Sequence, residues 1–521
     1  MKNQFFLSTV VLSIIFLSSC RNLENYSVSQ QTYYGKTLDP VTVTWLVAID
    51  PVSLDPHRFN DNPSWMASNQ IFQGLTWFDQ NHTLQPNLAT SFEQIEPNTW
   101  RFFLRDNVYF HDGVPFNSYA VYRSLTRVID PSTGSLAAPI TLDTISSIEI
   151  IDISTVDIHT HFPFAPLPYH LSHSSAFIVS PEAINRELSG GYTVSELPIG
   201  TGPFAFVNRI HGDSILFQRN ENYWDEPVSF EYLNWLVVPD GNTRLSMLET
   251  GQANGYQGSA SNIPLYESIL TIDFFINRQM ASEFVSFNLN NQYLADINVR
   301  RAINYIIDRD AIVMINEGNA TLATSSASPD IAFAPVGLEP IERNVEQALY
   351  HLGKSPWPDG GFTLNFWYHT GHAIRATVSE LIQANMAELN IQANLISMEF
   401  GPYMEGVNAG EHDMFIMAWA TVTGDADRAF FPIYHSENHG SMGNRSFFSD
   451  TLVDMLLINA RKESDPIRRQ YIYNQIGEIM QHYVPVMHLW HAHIPFPTNG
   501  IYDLHVDLRS IPFFQNVTVR R

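Results

Sequence analysis

Four histidines crowd the C-terminal part of this 521-residue chain, His482, His488, His491 and His493, and they are the first candidates for holding a metal or relaying a proton. If residues 484–494 form a strand, His491 and His493 share one face while His488 points to the other, which is poor geometry for three ligands on one ion. Rim or buried imidazoles bonded to backbone are the simpler expectation. His435 and His439 stand four apart, but in a Gly- and Ser-rich stretch rather than a helical pattern. No metal is assigned. No Gly-rich loop ends in Lys-Ser or Lys-Thr, and Gly200-Thr201-Gly202 is too short for a dinucleotide fingerprint. Neither His-Glu-x-x-His nor Gly-x-Ser-x-Gly occurs. An enzyme therefore has no specific support, and no cofactor is expected.

Cys20 is the single cysteine, and it ends a short apolar run that follows Met1 and Lys2. That run holds about a dozen residues, against the roughly 20 needed to span a bilayer, and reads as an export signal. Leu17-Ser18-Ser19-Cys20 resembles the lipobox of bacterial lipoproteins, which implies cleavage before Cys20 and lipid on its sulfur and amine. With Cys20 so used, no thiol remains for a disulfide, a nucleophile, a Cys-ligated zinc or an iron–sulfur cluster. No later stretch is long and apolar enough to span a membrane, so the terminus alone is expected to hold it. Residues 1–19 are read as the signal peptide and 20–40 as a lipid-anchored tether, giving a cell-envelope protein exposed to the periplasm or the outer face of the cytoplasmic membrane.

The elements that position any site come next. About 500 residues exceed what one hydrophobic core supports, so two or more lobes are expected. With 28 Lys plus Arg against 53 Asp plus Glu, the formal charge of −25 repels phosphate backbones, and nucleic acid is not a partner. Strand-like runs fall at 42–49, 99–105, 148–159, 204–220, 230–238, 283–290, 363–368, 391–400, 413–420 and 484–491, with a hairpin turn at His211-Gly212-Asp213. Helical spacing joins Val299, Ala302, Ile303 and Ile306, then Val378, Leu381 and Ile382, then Leu452, Val453 and Leu456. Asp465-Pro466 supplies an N-cap and an N1 proline for a further helix. The interleaving predicts a mixed α/β protein with more than one sheet.

Four stretches then act together. Leu88-Ala89-Thr90-Ser91-Phe92, Trp100 to Asp106 and Phe110-His111-Asp112-Gly113 form the first. Gly200-Thr201-Gly202-Pro203-Phe204 with Arg219-Asn220 and Tyr223-Trp224 is the second, and Val299 to Ile303 through Ile307-Asp308-Arg309 the third. The fourth runs from Trp419 to Gly424-Asp425-Ala426-Asp427, with Asn444-Arg445-Ser446-Phe447 after it. In order and in content this is similar to the family 5 extracellular solute-binding proteins, the oligopeptide, dipeptide and glutathione receptors of bacterial ABC importers. One departure is Asn117 to Val121, where relatives often carry an acidic residue before the Val; Asn117 still suits a helix N-cap.

The resemblance implies a periplasmic-binding-protein-like clamp of type II, cluster C, with discontinuous lobes. Lobe one is expected from 41–62, 198–285 and 490–521, an extra domain from 63–197, and lobe two from 286–489. It implies a monomer that captures short peptides or glutathione and passes them to ABC permease subunits powered by a separate ATPase. In the peptide-binding relatives an Asp pairs with the ligand α-amino group; Asp425 fits best here and Asp427 second, beside Trp419 and Gly424. Arg375, and less well Arg445, are the candidates for a ligand carboxylate. Asn288 and Asn290 lie on a stretch that could act as a strand edge for peptide backbone, with Tyr403 also placed at the site. The same fold serves haem and nickel-chelate receptors, and an adhesin or chaperone-like peptide binder is a further alternative.

Overall fold

The segment Ala281–Phe287, buried from Ser282 onward, organises half of the molecule by turning alternate side chains to two different cores. Val285 and Phe287 face one apolar core with Leu364, Phe366 and Ile416, while Phe284 faces a second with Phe415 and Phe430, as the two-residue period of a strand requires. The computed structural model describes residues 41–520, together with the backbone of a short ladder at Thr32–Tyr33 and Lys36–Thr37. The expected signal segment and Cys20 lie outside the described residues. No described helix is long and apolar enough to cross a membrane.

Twelve strands make the largest sheet: β1 (Thr42–Val47), β2 (Phe204–Ile210), β3 (Ser214–Arg219), β4 (Tyr232–Val237), β5 (Gly255–Tyr256), β6 (Asp273–Arg278), β7 (Ala281–Phe287), β8 (Ala320–Leu322), β9 (Phe362–His369), β10 (Ile391–Met398), β11 (Met414–Ala420) and β12 (Val486–Thr498). Their order is β2-β3-β4-β1-β5-β12-β7-β11-β9-β10, with β6 and β8 also paired to β12. β4 and β5 run parallel to β1, and β10 and β11 parallel to β9; the β12 pairings are antiparallel.

β12 joins the two halves. Residues 486–490 pair with β7, and residues 493–498 pair with β6. Its length was not legible in the sequence, because Pro495 and Pro497 suggest a break. Two residues apart, these prolines turn their missing N–H groups to the same edge, where the Pro495 carbonyl instead accepts the Gly258 N–H at 2.8 Å. The chain passes from the β6 side to the β7 side between Arg278 and Ala281, ahead of the boundary expected at 285. β7 is flanked by β11 and β12, which corrects the expectation of a strand edge at 283–290: both ladders are filled, and no peptide can add there.

A separate antiparallel sheet orders Ala89–Glu96, Thr99–Leu104, Thr155–Thr160 and Ile145–Asp152. The run expected over 148–159 is thus two strands, and the Asp152 side chain accepts the Ser154 N–H at 2.8 Å in the turn between them. Leu125, Phe102, Ile158 and Leu167 belong to its core. The helices that matter for the site are α1 (Asn62–Ser68), α2 (Ser118–Ile129), α3 (Ile297–Ile306), α4 (Ala373–Ala387), α5 (Asp427–Tyr434), α6 (Thr451–Lys462) and α7 (Pro466–Tyr483). Asn117 caps α2 and Asp465 caps α7, each side chain accepting two backbone N–H bonds.

The motif glycine Gly202 works through close approach rather than an unusual φ. A Cβ there would lie 2.6 Å from the Gln70 carbonyl oxygen, its N–H donates to Ile71 at 2.8 Å, and its own carbonyl accepts from His111 Nε2 at 3.0 Å. The 200–204 segment is thereby pinned to the turn after α1.

Candidate functional site

A cavity of about 270 Å³ opens between the start of α1 with segments 173–174 and 508–510 on one side, and residues 279–281, Ala420 and Val422 on the other. The second wall comes from the β6–β7 crossing and the end of β11, so the cavity sits where the chain changes halves. Phe59, Met280, Val422 and Leu508 make its walls mainly apolar.

Polar groups sit among them. Asp61 caps α1, Oδ1 accepting from Ser64 N–H at 2.9 Å. The Trp65 ring is covered by His173, with ring centres 4.3 Å apart, and by the Arg509 guanidinium at 4.8 Å. Trp65 Nε1 and Ser174 Oγ are buried without a hydrogen-bond partner, though a buried donor nearly always has one. Arg509 is committed inside the protein: Nε donates to Asp507 Oδ2 at 2.6 Å and Nη1 to the Ser172 carbonyl at 2.9 Å. Asp507 in turn accepts from the backbone N–H of Arg509 and Ile511. His173 Nδ1 accepts the Ser175 N–H at 3.1 Å, which assigns its proton to Nε2. Burial, with the Arg509 charge adding to it, holds His173 well below the usual imidazole range, so it stays neutral.

None of the nine residues expected at the site lines this cavity. Asp425 is sealed from solvent and takes Arg469 Nη1 and Nη2 at 2.6 and 2.7 Å; both carboxylate oxygens are occupied, which is at odds with an amine-binding role. Asp427 opposes Arg461 Nε at 3.1 Å without hydrogen-bond geometry. Trp419 donates Nε1 to the Arg428 carbonyl at 2.7 Å. Gly424 has φ +70°, with the Phe78 ring against its Cα. The end of β11 and the loop after it do reach the cavity, but through Ala420 and Val422 respectively.

The remaining candidates cluster inside the β7, β9 and β11 half. Arg375 forks onto Glu283 at 2.8 and 2.9 Å and meets His369 Nε2 at 2.6 Å. Arg445 donates Nε to Asn408 at 2.8 Å, and burial lowers its pKa. Tyr403 is buried and donates to the Ile416 carbonyl at 2.7 Å. Asn288 donates to the Gly410 and His412 carbonyls and accepts from the Asn290 N–H; Asn290 is exposed. These arginines are structural clamps, and a free ligand carboxylate would have to displace Glu283 to reach Arg375.

The C-terminal histidines separate as well. His491 Nδ1 bonds the Ala281 carbonyl at 3.2 Å, His493 Nε2 meets Thr321 Oγ1 at 2.8 Å, and His488 Nε2 faces Tyr434 at 3.4 Å. Among the described residues no three His, Cys, Asp or Glu side chains gather as a metal would need. Asp61, Trp65, Ser174 and Arg509 were missed in the sequence. Only Asp61-Asn62-Pro63, an N-cap ahead of a proline in the first turn, carried a signal, and it spoke of a helix start rather than of a ligand.

A cavity between two sheet halves, lined by unpartnered donors and joined by crossing strands, defines a two-sided binding protein. The chain belongs to the bacterial extracellular solute-binding proteins, family 5, whose middle-region model matches residues 83–441. It is 29% identical to the glutathione-binding protein GsiB of Escherichia coli K12 over 438 residues, covering 82% of this chain and 84% of that one. HbpA2 from Haemophilus parasuis has the same fold, with TM-score 0.86 at 25% identity over 92% of this chain and all of that structure. DppA from Helicobacter pylori, in complex with the peptide STSA, gives TM-score 0.75 at 24% identity over 92% and 98%.

Proposed function

We propose that this protein is the solute-capturing lipoprotein of an ABC importer, that it holds short peptides in the cavity beside Trp65, and that it passes them to a membrane permease driven by a separate ATPase. The observation that carries the reading is the pair of buried, unpartnered donors, Trp65 Nε1 and Ser174 Oγ, on an apolar cavity in a chain of this family. Peptide carbonyls are the complementary acceptors, and pairing them removes the cost of leaving those donors dry. The name of the glutathione-binding relative supports a peptide-like ligand in the same range of size. The protein binds without turnover, as a monomer, and the lipid on Cys20 keeps it beside its permease.

Purified mature protein, with Cys20→Ser to remove the lipid, tests this. Denaturation should release peptide-like solutes detectable by mass spectrometry, and a short-peptide panel should raise the melting temperature; saturation at 100 times Kd adds about 2.7 kcal/mol. Val422→Trp, which fills the cavity, should abolish the shift. A panel and a released fraction both empty of peptides would sink the reading.

A further inference from the structure

A second cavity, of about 250 Å³, shares Arg509 as a wall with the first and is built differently. It opens between the end of α1, residues 223–225 and the C-terminal Phe513 and Gln515. Gln73 orients two of its rings. The Trp224 indole can only donate, so its bond to Gln73 Oε1 at 2.9 Å fixes which end of that amide is oxygen. Gln73 Nε2 then donates to the Tyr223 hydroxyl oxygen, also at 2.9 Å, which leaves the Tyr223 O–H proton for another acceptor. Burial raises the Tyr223 pKa, so the proton stays on the ring. The Arg105 guanidinium lies over Trp224, 4.2 Å from the ring centre. Arg105 Nε donates to the Asn87 carbonyl at 3.1 Å, while neither Nη group has a hydrogen bond or an ion pair among the described residues. Asn69 Nδ2, on the same cavity, is buried without a partner.

Three unspent donors on one cavity, one of them a cation, are the complement of a carboxylate. We infer that this second cavity binds the carboxylate group of a small solute, on Arg105 with Tyr223 and Asn69, separately from the peptide cavity. A guanidinium stacked on an indole has its face used and its edge free, and that edge matches two carboxylate oxygens. Trp224 and Asn87 already hold Arg105 in place, so little side-chain freedom is lost on binding. Among the described residues Arg105 is the cavity's one unpaired cation, since Arg509 is held by Asp507. Asp225, exposed at the rim and without an ion-pair partner among the described residues, opposes a second negative charge. A free amino acid would set its ammonium toward Asp225, whereas a plain carboxylic acid has nothing to offer it; the carboxylate is common to both. Arg105, Tyr223 and Trp224 belong to the first two stretches that mark the sequence, and peptide capture gives them no task.

Ligand-observed NMR titrations of the mature Cys20→Ser chain with propionate, L-alanine and ethylamine test this. At least one of the two carboxylates should bind saturably with a Kd of about 1 mM, within reach of solutes this small, and ethylamine should not. Val422→Trp, which fills the first cavity, should leave that Kd within about twofold. Arg105→Gln should weaken binding about tenfold or more, Arg105→Lys should recover part of the loss, and Tyr223→Phe should cost about threefold, with unchanged melting temperatures verifying the fold. Asp225→Asn alters only an exposed side chain and should tighten propionate about twofold by removing a like charge; where Arg105→Gln does not fold, this variant decides. Alanine binding more tightly than propionate names amino acids as the class, and the reverse names plain carboxylates. No saturable binding of either carboxylate overturns the assignment. So does binding that Val422→Trp abolishes, or that Arg105→Gln and Asp225→Asn both leave unchanged.

Discussion

Asp425 and Arg469 form an ion pair that water does not reach, with exposures of 0% and 2%, and Arg469 also lies 4.3 Å from the centre of the Phe333 ring. The Asp425 charge raises the Arg469 pKa further against the opposing effect of burial, so the guanidinium has no neutral form to retreat to. Removing the aspartate leaves that cation buried and unpaired, which typically costs about 3–5 kcal/mol, whereas removing both partners costs far less. Asp425→Ala should therefore lower unfolding stability by about that amount in urea, and Asp425→Ala with Arg469→Met should recover much of it. Peptide affinity, measured where the single variant is still folded, should stay within about threefold of wild type; a tenfold loss would return Asp425 to the ligand. The residue types at 425 and 375 were legible as charges needing a partner. Whether that partner is a ligand or another residue was not, since Arg469 lies 44 positions away and Glu283 lies 92 from Arg375.

Elements were easier to read where a local rule decides them. Asp465-Pro466 and Asn117 each announce a helix start because the cap bonds form within three residues. Elements set by distant pairing were harder: β12 runs through two prolines because β6 supplies its partner edge, and the edge role given to 283–290 failed because β12, two hundred residues on, fills it. The glycine motif belongs to this second class. Gly202→Ala pushes a methyl into the Gln70 and Ile71 backbone, which has no flexible end to yield, and displaces the carbonyl that His111 holds. A stability loss of about 2 kcal/mol or more is expected, at the upper end of ordinary substitutions. Gly113→Ala, with φ +82° but nothing within 4 Å of an added Cβ, should cost only the left-handed strain of about 1 kcal/mol. Urea midpoints of the two variants separate packing from conformation, and an equal loss would refute the close-approach account.

At the scale of the whole molecule, the buried histidines set the response to acid. Burial pushes His57, His111, His412 and His491 down to about 4 and His170 and His488 to about 3. Five of them bond a backbone carbonyl through one ring nitrogen, His57 to Phe177, His111 to Gly202, His170 to Thr141, His412 to Arg445 and His491 to Ala281. His57 also accepts from Arg127 at Nδ1, 2.8 Å away, so a second proton there would set two cations together. In the unfolded chain each imidazole binds a proton near pH 6.5, and in the folded chain not until about pH 4 or 3. The unfolded state thus holds more protons across that window, and stability falls as pH drops through it, by up to about 1.4 kcal/mol per pH unit for each histidine. The contribution is complete above pH 6.5. Relief of charge repulsion from a net −25 works the other way, but most carboxylates protonate below pH 5, so the histidines act first. Urea unfolding free energies between pH 7.5 and 5.0 should fall by several kcal/mol with an uptake of more than one proton, and His57→Gln, where it folds, should lower that uptake by about one. A flat profile over this range would show that these imidazoles are not held neutral by the fold.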